Sequence, residues 1–207
     1  MSPSAARHLY LARHAEPRAG GGSLTGRGSR QAELLGRRMA GVPLHGVFHG
    51  PLPRAAETAR VVAGYLSAEV PLHEVEAAGD YVPSLPAREE VAPWGDTVAA
   101  SLADVTDEKA LEGARLAADA IRLLTGPVGG PALRHELVVT HAFTIGWLVR
   151  DALGAPAWRW WGLNLCHAAL TVIRYEADRP PTILVLNDVA HLPEDLRWTG
   201  FPPDLRW

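Results

Sequence analysis

An apolar run that stops abruptly on a cation and an imidazole constrains this chain more than any other feature. Residues 8–16 read His-Leu-Tyr-Leu-Ala-Arg-His-Ala-Glu. Leu9 to Ala12 predict a short buried strand, and Pro17 with Gly20-Gly21-Gly22 opens a loop directly after it. Arg13 and His14 then stand at the carboxyl end of the first strand, where open α/β sheets place ligands. A neutral imidazole is a nucleophile toward phosphorus, and an adjacent guanidinium can hold phosphoryl oxygens through paired hydrogen bonds.

The remaining periodicities extend that strand into an alternating pattern. Thr25 is a good N-cap for a helix over about Arg27–Met39, ended by Gly41-Val42-Pro43. Val47-Phe48 is the kernel of a second strand, and Pro53 suits the first turn of a helix reaching Leu66. Val70–Val75 predicts a third strand, with Glu74 and Glu76 on one side. Residues 79–106 then lose periodicity around Pro83, Pro86, Pro93 and Trp94, and read as an irregular lid that selects substrate. Leu111–Leu124 is helical, Glu136–Thr140 a buried strand, and Ala142–Leu153 a helix stopped by Gly154. Leu170–Tyr175 and Ile183–Leu186 predict a hairpin joined through Asp178-Arg179-Pro180-Pro181. The order implies an α/β three-layer sandwich, a mixed and mainly parallel sheet with helices on both faces. At 207 residues the chain suits one domain, residues 1–207, with the lid as an insertion.

Four segments in register carry a resemblance to a known family. Arg13-His14-Ala15 resembles the Arg-His-Gly signature of the histidine phosphatase superfamily, the phosphoglycerate-mutase-like fold. Leu24-Thr25 with Gly28 and Gln31-Ala32 resembles its next motif, Pro51-Leu52-Pro53-Arg54-Ala55-Ala56-Glu57-Thr58-Ala59 its second-arginine motif, and Val138-Val139-Thr140-His141-Ala142 its second-histidine motif. The resemblance implies that His14 is a nucleophile forming phosphohistidine, and that Arg13, Arg54 and His141 bind phosphoryl oxygens. It also implies a carboxylate just past the third strand that protonates the leaving alkoxide and then activates water. Asp80 falls at that position, with Glu76 as rival and Glu74 as a more distant one. The mechanism needs no metal and no cofactor.

Two departures bear on the pocket. His49-Gly50 stands where the family commonly has a Ser-Ser pair, which makes His49 a candidate pocket residue. Glu16, beside the signature, either orients an arginine through an ion pair or is a solvated loop acid.

Composition narrows the partners. A net charge of −3 offers no general attraction for nucleic acid or anionic membrane, so an anion site must be local. Only Arg159 interleaves Trp158, Trp160 and Trp161, too little basic character for a nucleic-acid stacking platform. Of those tryptophans, one is expected on the core and another against the lid or a partner subunit. His167, His191 and Asn187-Asp188 match no familiar metal-ligand spacing and read as turn and surface residues. Single Cys166 excludes an intrachain disulfide and reads as a small buried residue. No apolar run reaches membrane-spanning length, and a cytoplasmic monomer or homodimer is expected.

The lid holds Arg88 as its one cation against Asp80, Glu89, Glu90, Asp96 and Asp104. A second phosphate or carboxylate would be repelled there. The expected activity is therefore hydrolysis of a small phosphorylated metabolite rather than mutase transfer. Dephosphorylation of phosphoprotein or phosphohistidine, or non-catalytic phosphate binding, are the other readings.

Overall fold

A computed structural model describes residues 4–92, 94–201 and 203–206. In chain order the elements are β1 (Ser4–Ala5), β2 (Arg7–Arg13), α1 (Gly26–Met39), β3 (Gly46–His49), α2 (Pro53–Ala63) and β4 (Leu72–Glu74). Then come α3 (Gly95–Ser101), α4 (Asp107–Leu124), β5 (Val128–Gly129), β6 (Arg134–Thr140), α5 (Ala142–Ala152), β7 (Leu170–Glu176) and β8 (Arg179–Asp188). Among the described residues the main sheet has the order β4-β3-β6-β2-β7-β8, and β1 pairs with β5 in a separate two-stranded ribbon. Strands β4, β3, β6 and β2 run parallel, whereas β7 and β8 run antiparallel, which makes this the mixed α/β sheet expected.

Alternation along the central strands divides the core. Leu9 and Leu11 of β2 join Val138, Ile145, Leu148 and Ile173 on one face, beneath α4 and α5. Ala12 lies on the other face with Leu35, Met39, Val47, Val62, Leu137 and Val139, beneath α1 and α2. Helices α1, α2, α4 and α5 present apolar stripes to the sheet, so the three layers follow from burial of those stripes.

The sheet margins depart from the sequence expectation. Strand β4 is three exposed residues rather than Val70–Val75, and Glu76 begins a 3-10 turn, Glu76–Ala78, outside it. The hairpin turn is shorter than expected. Pro180 and Pro181 belong to β8, an edge strand, where a missing N–H costs no ladder bond on the open side. The lid is also more regular than expected: a 3-10 turn at Arg88–Val91 and helix α3 lie within 79–106. Among the described residues no helix is long and apolar enough to cross a membrane.

Candidate active site

Parallel β2, β3 and β6 end on one rim, and antiparallel β7 begins there. The pairing Ala12↔Leu170 fixes that arrangement, with Arg13 N–H donating to Ala169 O at 3.3 Å. Residues just after β2 and β6 and just before β7 must therefore meet, although they are far apart in sequence. Helices α2 and α5 start at the same rim, so their electropositive N-termini open on it.

His14 occupies the centre and is nearly buried. Its Nδ1 lies 2.8 Å from Ala15 O, which can only accept, so Nδ1 carries the proton. The lone pair on Nε2 is left facing Arg54, whose Nε donates to it at 3.2 Å. Burial pushes the His14 pKa down to about 2, helped by His141 and by Arg13 and Arg54. The imidazole is thus neutral across the physiological range.

Arg54 is fixed in three directions. Besides His14, it donates to Gly21 O at 2.8 Å and to Asp80 Oδ2 at 2.6 Å. Gly21 has φ +77°, and a Cβ there would lie 2.8 Å from the Arg54 guanidinium. Arg13 donates to Leu165 O at 2.6 Å and packs 5.5 Å over the Phe201 ring. Its Nε is buried without a hydrogen-bond partner. Burial lowers its pKa to about 10, which leaves it cationic at neutral pH.

His141 caps α5, with its ring centroid 5.0 Å from that of His14. Neither ring nitrogen has a hydrogen-bond partner, although the residue is essentially inaccessible. Burial, then Arg54 and Arg13, push its pKa down to about 3. A buried polar group left unpaired costs stability, and here two sit beside two arginines.

The carboxylate candidates separate cleanly. Asp80 reaches Arg54 and lies 3.7 Å from His141 Nδ1. Glu76 is directed to Arg115 at 3.8 Å, and Glu74 sits on the exposed edge strand. Structure therefore brings together Arg13, His14, Arg54, Asp80 and His141, and leaves both glutamates apart.

The loop behind His14 is held by polar groups the motifs had marked. Gln31 Oε1 accepts from Glu16 N–H at 2.8 Å, and Thr58 Oγ1 accepts from Ala15 N–H at 3.0 Å. Glu16 orients no arginine: its carboxylate accepts from Thr25 Oγ1 at 2.8 Å. His49 turns its Nδ1 onto Gly50 O at 2.9 Å.

One residue was misread from sequence. His167 is not a surface residue; it is buried, with its ring centroid 5.3 Å from His14. A lone histidine before a strand carries no signal for this, because only the antiparallel entry of β7 brings it to the rim.

Beside Asp80 lies a cavity of about 720 Å³, lined by Tyr81, Val82, Leu116 and Phe143 and by Asp104, Glu108 and Glu112 against one cation, Lys109. Its size suits a small organic ligand.

The sequence profile of the histidine phosphatase superfamily (branch 1) matches residues 9–189. The chain belongs to that superfamily. Among its named relatives, the Drosophila sechellia serine/threonine-protein phosphatase Pgam5, mitochondrial, is 27% identical over 209 residues, covering 97% of this chain and 70% of that protein. The crystal structure of the alpha-ribazole phosphatase from Shigella flexneri superposes with a TM-score of 0.65 at 21% identity, covering 87% of this chain and 96% of the other. A phosphoserine phosphatase variant from Entamoeba histolytica, in complex with phosphoserine, gives 0.61 at 19% identity, covering 90% and 100%. These two likenesses show the histidine phosphatase fold.

Proposed function

We propose that the protein is a phosphomonoester hydrolase acting on a small phosphorylated metabolite through a phosphohistidine intermediate. The observation that carries this reading is the fixed tautomer of His14, whose Nε2 lone pair lies beside Arg54. Nε2 attacks phosphorus as the ester P–O bond breaks, and Asp80, protonated by the bound monoanionic ester, passes that proton to the leaving oxygen. Asp80 then takes a proton from water, whose oxygen attacks phosphorus as the P–N bond breaks, releasing inorganic phosphate. Arg13, Arg54 and His141 surround the phosphoryl oxygens and act on charge that builds in the transition state. Phosphoryl oxygens compete with the Asp80 carboxylate for Arg54, so binding frees Asp80 for proton transfer.

The size of the cavity beside Asp80 supports a small leaving group. Its acidic lining, and the engagement of lid residue Arg88 with Asp96 at 2.7 Å, weigh against a second anionic group and hence against a mutase. Relatedness to serine/threonine-protein phosphatases along 97% of the chain favours phosphoprotein as the second reading. A hydrolysis screen over sugar phosphates, nucleotides, phosphoamino acids and phosphopeptides tests both, with and without chelator. Turnover of a metabolite at least tenfold above any phosphopeptide supports the first reading, and the opposite ranking the second.

A further inference from the structure

His167 holds a place in the site that the reaction scheme above does not use. It reaches the rim from β7, the neighbour of β2 opposite to β6, and so approaches His14 from the side away from the strand that delivers His141. The local backbone is strained to do this. Ala168, fully buried, has φ +54°, a left-handed conformation that is unfavourable for a residue bearing Cβ. Such strain persists where the surroundings over-determine it, commonly at sites of function. Next to the ring, Gly200 has φ +81°, and a Cβ there would lie 2.8 Å from His167 Cε1.

The far side of the ring is anchored. His167 Nδ1 lies 2.8 Å from Thr199 Oγ1, which also accepts from Gln31 Nε2 at 3.0 Å. Gln31 is itself oriented by the Glu16 N–H on its Oε1, so its amide must donate to Thr199. The Thr199 hydroxyl proton is then available to His167 Nδ1. Burial, reinforced by Arg13, His14 and Arg54, lowers the His167 pKa to about 2, so the ring holds a single proton.

We propose that His167 is a further phosphoryl-binding residue, donating from Nε2 to a non-bridging oxygen while the Thr199–Gln31 pair holds its Nδ1. The inference rests on the phosphohistidine reading of the site. It gives the transferring group three imidazoles: one attacking, two flanking. Thr199 and Gln31 act as positioning residues through it.

Two substitutions separate binding from scaffolding. His167→Asn places an amide near the Nδ1 position and keeps the Thr199 bond without a donor at Nε2. His167→Gln reaches the Nε2 position instead. The readouts are inhibition by orthovanadate, kcat and Tm. His167→Asn is expected to weaken vanadate inhibition about tenfold or more and lower kcat, with Tm little changed, whereas His167→Gln keeps inhibition within about threefold. Wild-type inhibition in His167→Asn, or equal losses in both variants tracking a fall in Tm, overturns the proposal and leaves His167 a structural link to Thr199.

A measurement on the unaltered protein covers the case in which neither variant folds. In ¹⁵N-histidine-labelled wild type, vanadate should shift the His167 Nε2 resonance and slow exchange of its proton; an unmoved resonance overturns the assignment. Acid-quenched wild type that yields no phosphohistidine, alongside the expected vanadate series, overturns His14 as nucleophile and upholds His167 as an anion ligand.

Discussion

With its proton held on Nδ1 by the Ala15 carbonyl, His14 has only Nε2 left for chemistry, and its ring meets the polar groups of the site. His14→Ala should therefore abolish turnover, by a factor of at least about 10³, while Tm stays within a few degrees. Phosphohistidine trapping and thermal melts check the two halves separately. Asp80 makes a subtler prediction. Asp80→Asn should cripple hydrolysis of alkyl phosphates by about 10²-fold or more and affect phosphorylation by nitrophenyl phosphate much less, because phenolate leaves without a proton. Glu76→Gln should resemble wild type on both, as its carboxylate sits with Arg115 on the surface. A selective loss of alkyl substrates in Glu76→Gln would transfer the acid role to it.

At the scale of elements, α1 and the loop after β2 are fitted to each other through Gly28. A Cβ at that position would lie 2.1 Å from the Glu16 carbonyl oxygen. Gly28→Ala should push α1 from the loop and lower stability by about 1–3 kcal/mol, readable by urea titration, with activity falling as the His14 loop shifts. Much of this was legible in the sequence. The Thr25 cap, the Leu9–Ala12 strand and the His141 junction follow from local rules, and Thr25 does accept from Gly28 N–H at 2.9 Å. The convergence of Arg13, His14, Arg54, Asp80 and His141 was anticipated through the family resemblance, whose motifs fall at or after the ends of parallel strands. His167 was not, since its neighbours depend on how β7 enters the sheet, a long-range pairing that leaves no local period. Helix α3 escaped notice for another reason: its seven residues, with Gly95 and Val98 buried, are too few to show a period. Trp160, one of three adjacent tryptophan candidates, proved to be the buried one, and its Nε1 donates to Ser84 in the lid at 3.1 Å.

For the molecule as a whole, three buried imidazoles, His14, His141 and His167, share one site and are neutral when folded. Unfolding exposes each to water, where its pKa returns to about 6.5, so the unfolded chain binds more protons below that value. Stability is therefore full above pH 6.5 and is lost on acidification from there toward pH 3, by up to ~1.4 kcal/mol per pH unit for each group. Urea titrations between pH 7 and pH 4 should show a slope of more than one proton, and His14→Asn should reduce it by about one. A flat profile would mean that the buried site tolerates charged imidazoles.

The antiparallel entry of β7 also sets a time at which the protein becomes competent. Arg13 leans on Leu165, His14 on a ring from residue 141 and another from residue 167, and His167 on Thr199. The contacts of Arg13 and His14 join the first strand to residues 141–167, and His167 in turn reaches Thr199; such distant closures come late in folding. A ribosome-bound chain that stops short of Thr199 holds its signature Arg13-His14 pair without the group that anchors His167. Vanadate binding by stalled nascent chains should therefore reach full strength only once Thr199 has cleared the exit tunnel.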